Sequence, residues 1–143
     1  MQQTLNLENF LETQKISREQ FDSTNLNWED LNLIAEDHIS NNKLLTSIAE
    51  YCAKITHLHS KVHSIRWRVK DADHLKAKII RKVLEKNEKY INISLENYQQ
   101  IITDLIGIRI LHLYKYDIGD LLEHLVSHWE AIEKPVAYIG VVA

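Results

Sequence analysis

The stretch Asn97 to Tyr114, NYQQIITDLIGIRILHLY, constrains the fold more than any other part of the chain. Polar residues run up to Thr103-Asp104. An almost unbroken apolar run follows from Leu105 to Leu113, with Arg109 as its one full charge. A continuous apolar run between polar flanks is the pattern of a strand covered on both faces, or of a buried helix segment. The isoleucines and Gly107 favour the strand. A carboxylate at the mouth of such a strand, and an arginine along it, need partners, because an unpaired buried charge costs several kcal/mol. Asp104 is therefore either half of a plain ion pair or a metal ligand beside a nucleotide.

A chain of 143 residues suits one domain with a real core. Glycine and proline are scarce, three and one, which favours helices over long linkers. The single cysteine, Cys52, excludes an internal disulfide and fits a reducing, cytoplasmic setting. No apolar stretch reaches the roughly 18 residues of a membrane span, and the N-terminus lacks a signal-peptide pattern. The net charge of −3 hides an uneven distribution: residues 61–90 carry a local balance of +6 and the rest −9. A basic block inside an acidic chain points to an anionic ligand bound at one place. A general nucleic-acid binder would be more basic overall.

Residues 1–42 read as an N-terminal helical segment. Leu7, Phe10 and Leu11 fit a short helix, Ser17 can cap another turn, and Asn27 caps a helix carrying Trp28, Leu31, Ile34, Ala35 and His38. Asn41-Asn42 breaks the run, and Leu44, Leu45, Ile48, Cys52 and Ile55 mark a second long helix reaching His59. At His63 to Lys70, HSIRWRVK, the period changes to two: Ile65, Trp67 and Val69 alternate with Arg66, Arg68 and Lys70. On a strand this puts a row of cations on one face. That face is either a solvated, charge-protected edge or a phosphate cradle. Helix returns at Asp71 to Lys86, with Lys76, Lys78, Arg81 and Lys82 on its polar side. Residues 85–97 read as a loop leading to a short helix. Asp117 caps a helix that Lys134-Pro135 stops, and Val136 to Ile139 starts another strand. Strands separated by helices favour a mixed or parallel sheet in an α+β fold, with the N-terminal helices packed on it.

Two segments then converge on a family. Arg68-Val69-Lys70 with Lys78, Arg81 and Lys82 resembles the R-x-K…K-x-x-R-K segment of RelA/SpoT-type alarmone synthetases, and Thr103 to Ile110 resembles their D-L-x-G/A-x-R-I segment. The resemblance covers roughly residues 45–139, so that 43–143 reads as a partial synthetase domain of nucleotidyltransferase-like fold, continuous with the helices before it. It implies transfer of the β,γ-pyrophosphate of ATP to the 3′-hydroxyl of GDP or GTP. It also implies that Arg68, Lys70 and Lys78 hold the ATP phosphates, with Arg81 and Lys82 as helpers, and that Asp104 binds Mg²⁺. Arg109 is either a ligand contact or half of a structural ion pair. His74 stands where the family has a serine. The family's later basic loop, guanine-stacking aromatic and E-x-Q segment are not found before Ala143. The expectation is therefore an incomplete or degenerate synthetase, weakly active as it stands, and possible as a homo-oligomer.

Three rivals stay open. A zinc site on His57, His59 and His63 lacks a fourth ligand in the sequence nearby. A non-catalytic nucleotide-binding or regulatory module would use the same cations without a metal. A nucleic-acid surface would have only Trp67 and Tyr90 for stacking within the basic block.

Overall fold

The computed structural model describes residues 6–138. They form an α+β fold with seven α-helices and a two-stranded sheet. Three short helices come first: α1 (Leu7–Gln14), α2 (Arg18–Ser23) and α3 (Trp28–Ser40). Each starts where a polar side chain takes up backbone N–H groups that a helix end leaves free. Asn6 accepts from the Asn9 N–H, Ser17 and Gln20 form a reciprocal capping box, and Asn27 accepts from the N–H groups of Glu29 and Asp30. Lys15 ends α1 in the left-handed conformation (φ 57°) and turns the chain so that Ile16 is buried.

The sequence set the N-terminal helices on the sheet; the main packing of these three lies elsewhere. They wrap α5 (Ala72–Leu84), where Phe10, Phe21, Leu31 and Ile34 meet Leu75, Ile79 and Ile80. Each such side chain contributes about 1.5–3 kcal/mol by leaving water. Tyr90, in a 3-10 turn (Glu88–Tyr90), and Tyr98, in α6 (Tyr98–Ile101), close the same core with Ile102 and Leu105. The core therefore joins residues on both sides of position 42.

Lys76 belongs to this core rather than to the polar side of α5. It is fully buried, with its Nζ 3.2 Å from Asn32 Oδ1, 3.3 Å from Asp73 Oδ1 and 4.4 Å from the centre of the Trp28 ring. The N-terminal helices cover more of α5 than its apolar stripe, so a lysine is buried with them. Its charge is tolerated because oxygen and aromatic partners surround it.

The sheet pairs β1 (Ser64–Val69) with β2 (Ile106–Leu111) in antiparallel register, from Ser64 opposite Leu111 to Val69 opposite Ile106. The expected mixed or parallel sheet is not found, nor is the strand covered on both faces. Residues directly opposite share a face. Ile65, Trp67, Val69, Ile106, Ile108 and Ile110 therefore lie on one side, toward α4 (Asn42–His57). Arg66, Arg68, Gly107 and Arg109 lie on the other, and its three arginines are exposed. The apolar run is half covered because one helix layer, and no second one among the described residues, packs on the sheet. Residues Val136–Tyr138 are irregular rather than a strand, and Ile139 lies outside the described residues.

The last helix, α7 (Asp117–His128), ends before Lys134-Pro135. Asp117 does not cap it. Its carboxylate turns instead to Lys61 Nζ at 3.1 Å, which also reaches Asp120 at 3.0 Å and ties α7 to the segment between α4 and β1. None of the described helices is long and apolar enough to cross a membrane.

Candidate anion-binding site

Three elements meet at the mouth of the apolar run. The β1 strand delivers Lys70, whose N–H continues the sheet ladder by donating to the Leu105 carbonyl. The capping of α5 by Asp71 fixes where that helix begins and hence where Lys78 stands, two turns in. Asp104 immediately precedes Leu105, which is anchored in the core. The result is a clamp: Lys78 Nζ lies 2.6 Å from Asp104 Oδ1, and Lys70 Nζ 3.0 Å from Oδ2. The lysines are 34 and 26 residues away from Asp104 in sequence, so the meeting is tertiary.

The clamp is half-buried. The Asp104 side chain keeps 42% of its accessibility, against 9% for Lys70 and 23% for Lys78. Partial burial works against the Asp104 charge, but hydrogen bonds and charge from Lys78 and Lys70 outweigh it and hold the carboxyl below its ordinary range. Two ammonium groups on one carboxylate leave the cluster net positive. Tyr90 stands nearby: burial first, and then the Asp104 charge, push its phenol up.

The positive surface continues along the sheet. Arg68 lies two residues before Lys70, about 7 Å along a strand. Gly107 is its cross-strand neighbour, so the guanidinium lies over open backbone there; a Cβ on Gly107 would meet Arg68 Nε at 3.5 Å. Arg66 faces Arg109 directly across the strands. An open depression lined in part by Arg66, Arg68, Gly107 and Arg109 crosses this face. Among the described residues no carboxylate lies within ion-pair distance of these three arginines. The ion pair considered for Arg109 is therefore not formed there. Like charges directly opposite on a sheet repel, and an anion laid across them relieves the repulsion.

The expected site residues divide accordingly. Lys70, Lys78 and Asp104 are in direct contact, and Arg68 extends the same positive surface. Lys82 is one turn beyond Lys78 and leans on Glu85 at 3.4 Å. Its charge reaches Tyr90, as that of Asp104 does. Arg81 points elsewhere, donating to the Gln14 carbonyl at the end of α1. The spacing set His38 on the apolar stripe of its helix and gave it no part in the site. It is buried in α3, and its Nε2–H donates to the Lys70 carbonyl oxygen. Its Nδ1 is buried without a partner among the described residues.

The rival zinc reading on His57, His59 and His63 finds no such cluster. His59 lies against His124 of α7 with the rings tilted (5.0 Å between ring centres), His124 in turn meets His128 at 4.8 Å, and His124 Nε2 lies 3.2 Å from the Ile55 carbonyl oxygen. Among the described residues no group of three or more histidines, cysteines and carboxylates is arranged to hold a metal ion.

Compared with known protein families, characterised proteins and solved structures, the chain has no significant match to any of them.

Proposed function

We propose that the chain binds the triphosphate of ATP on the Lys70–Lys78–Asp104 clamp and the arginine face beside it, for Mg²⁺-dependent pyrophosphoryl transfer to the 3′-hydroxyl of GDP or GTP. The observation that carries this reading is the convergence of Lys70 and Lys78 on Asp104 from separate elements. Lysine is a flexible point charge, so each ammonium can leave Asp104 for a phosphate oxygen by rotation about its side chain. Arg68 supplies a planar fork suited to two phosphate oxygens. Once the lysines turn away, both Asp104 oxygens are free for a hard cation. One carboxylate plus substrate phosphates is a usual way for a protein to hold Mg²⁺.

Bound Mg²⁺ would neutralise charge on the triphosphate oxygens. In the transfer, the acceptor's 3′-oxygen forms a bond to the β-phosphorus of ATP. The bond from that phosphorus to the α,β-bridging oxygen breaks, AMP leaves with the electron pair, and the hydroxyl proton passes to solvent. The chain's share is positioning and charge: Lys70, Lys78 and Arg68 align the triphosphate and offset its charge.

A second reading keeps the anion and drops the chemistry. It is favoured by the same fact seen from the other side: both Asp104 oxygens already have ammonium partners, as in a purely structural bridge. Calorimetric titration with ATP, with Mg²⁺ and with a chelator, separates the two. Under the transfer reading Mg²⁺ strengthens binding, and Asp104→Asn removes that gain together with AMP release in the presence of GDP. Under the binding-module reading affinity ignores Mg²⁺, and Asp104→Asn, which frees two lysines, binds ATP at least as tightly. Absence of ATP binding in both conditions overturns both.

A further inference from the structure

The α4 helix has a second apolar face that nothing in the function above employs. Ala49, Ala53 and Thr56 are buried toward the sheet. Leu44, Ile48, Tyr51 and, at the C-cap, Leu58 are exposed, and Ile55 is half-buried. These five recur at spacings of four, three, four and three residues. With 3.6 residues per turn they form one straight stripe, about 150° round the helix from the buried side. Scattered exposed apolar residues need no explanation, but a continuous stripe of a/d spacing over two heptads is a helix-pairing seam.

We propose that this stripe is the interface of a homodimer in which α4 packs antiparallel on α4 of a second copy. The sequence of the stripe selects the occupant. Read in either direction it is Leu, Ile, Tyr, Ile, Leu. A two-fold axis through Tyr51 sets Leu44 of one copy on Leu58 of the other, Ile48 on Ile55, and Tyr51 on Tyr51. A closed two-fold contact requires such self-complementarity, whereas an unrelated partner has no use for it. On one flank the same axis brings Glu50 of one copy within about 3 Å, along the helix axis, of both Lys54 and Glu50 of the other, so the charges there neither favour nor forbid the contact. Ten apolar side chains fall at the small end of specific interfaces, below roughly 1,200 Å² in total, so the dimer is a weak one that forms and dissociates with concentration.

Sedimentation velocity on the full chain, from micromolar to submillimolar concentration, tests it. The mass rises from 16.8 kDa toward twice that value, and Tyr51→Glu removes the rise with the helical circular dichroism unchanged. The register has its own test in a Cys52→Ser background. Under mild oxidation Tyr51→Cys cross-links with itself. Leu44→Cys does not, but it does cross-link to a chain carrying Leu58→Cys. A monomer at every concentration overturns the dimer and leaves the stripe to another occupant. Self-cross-linking through Leu44→Cys overturns the antiparallel arrangement.

Discussion

The two halves of the molecule treat charge in opposite ways. Around α5, Lys76 is enclosed by Asn32, Asp73 and two aromatic rings and is lost to solvent. On the sheet, Arg66, Arg68 and Arg109 lie open, with two of them directly opposed. The apolar residues follow the same division. Phe10, Leu31 and Leu75 are almost wholly buried, while Trp67, Ile108 and Leu111 keep more than a third of their surface. The helical half thus satisfies its own groups, the Nδ1 of His38 excepted. The sheet half leaves interactions unmade, and those are what a ligand can take up. The clamp at Asp104 stands on the boundary between them.

Substitutions in the two halves should separate by size. The largest loss is expected for Phe10→Ala, at about 3–5 kcal/mol in urea unfolding. Trp67→Ala, although it deletes a larger ring, should cost less than about 2 kcal/mol from its part-exposed position. Equal losses would break the contrast. Next is Tyr98→Phe. The Tyr98 hydroxyl donates to Asp37 at 2.5 Å, and burial, with that bond, pushes its pKa up to about 12 from 10.0. Removing a hydrogen bond to a charged acceptor costs about 1.5–3 kcal/mol. Because the folded value is the higher one, this contribution is complete below pH 10 and is lost as pH rises through about 12. A base-unfolding curve that Tyr98→Phe leaves unchanged would contradict it.

Smaller still is the effect of Asp104→Asn on stability. The folded carboxyl titrates below the ordinary value of 3.8, so its stabilising contribution is present above that pH and is lost as pH falls below it. The substitution should lower the neutral plateau slightly and flatten the acid limb of stability against pH. Solvent screening of this half-open group keeps the change modest. The smallest effect is expected for Arg66→Ala, a gain of about 0.2–1 kcal/mol from relief of the pair with Arg109. That gain should fade with added salt, and inorganic triphosphate should stabilise the variant less than the parent chain. A loss of stability at low salt would instead show Arg66 to be held by a partner.

Local features of this fold were legible in the sequence and tertiary ones were not. The Asn27 cap and the stripe of α3 announced that helix, and the return of helical spacing at Asp71 to Lys86 announced α5, since side-chain spacing and end chemistry act within a few residues. The period of two at Ile65 to Val69 announced a strand, but a period names no partner, and the antiparallel pairing with β2 followed from nothing local. The burial of Lys76 was invisible because it depends on how far three other helices wrap α5. The meeting of Lys70, Lys78 and Asp104 was anticipated through the resemblance, whereas the turn of Arg81 toward Gln14 was not. The spacing of His38 announced its burial but not its bond, which goes to a carbonyl 32 residues away.

That carbonyl belongs to Lys70. A ring rooted in the helical bundle therefore moors the main chain of the most enclosed cation at the clamp. Disturbance among the N-terminal helices has a short road to the cationic surface: loosen α3, and Lys70 loses its tether before any of its own atoms change. Residues remote from the clamp thus help decide how firmly its lysine is placed.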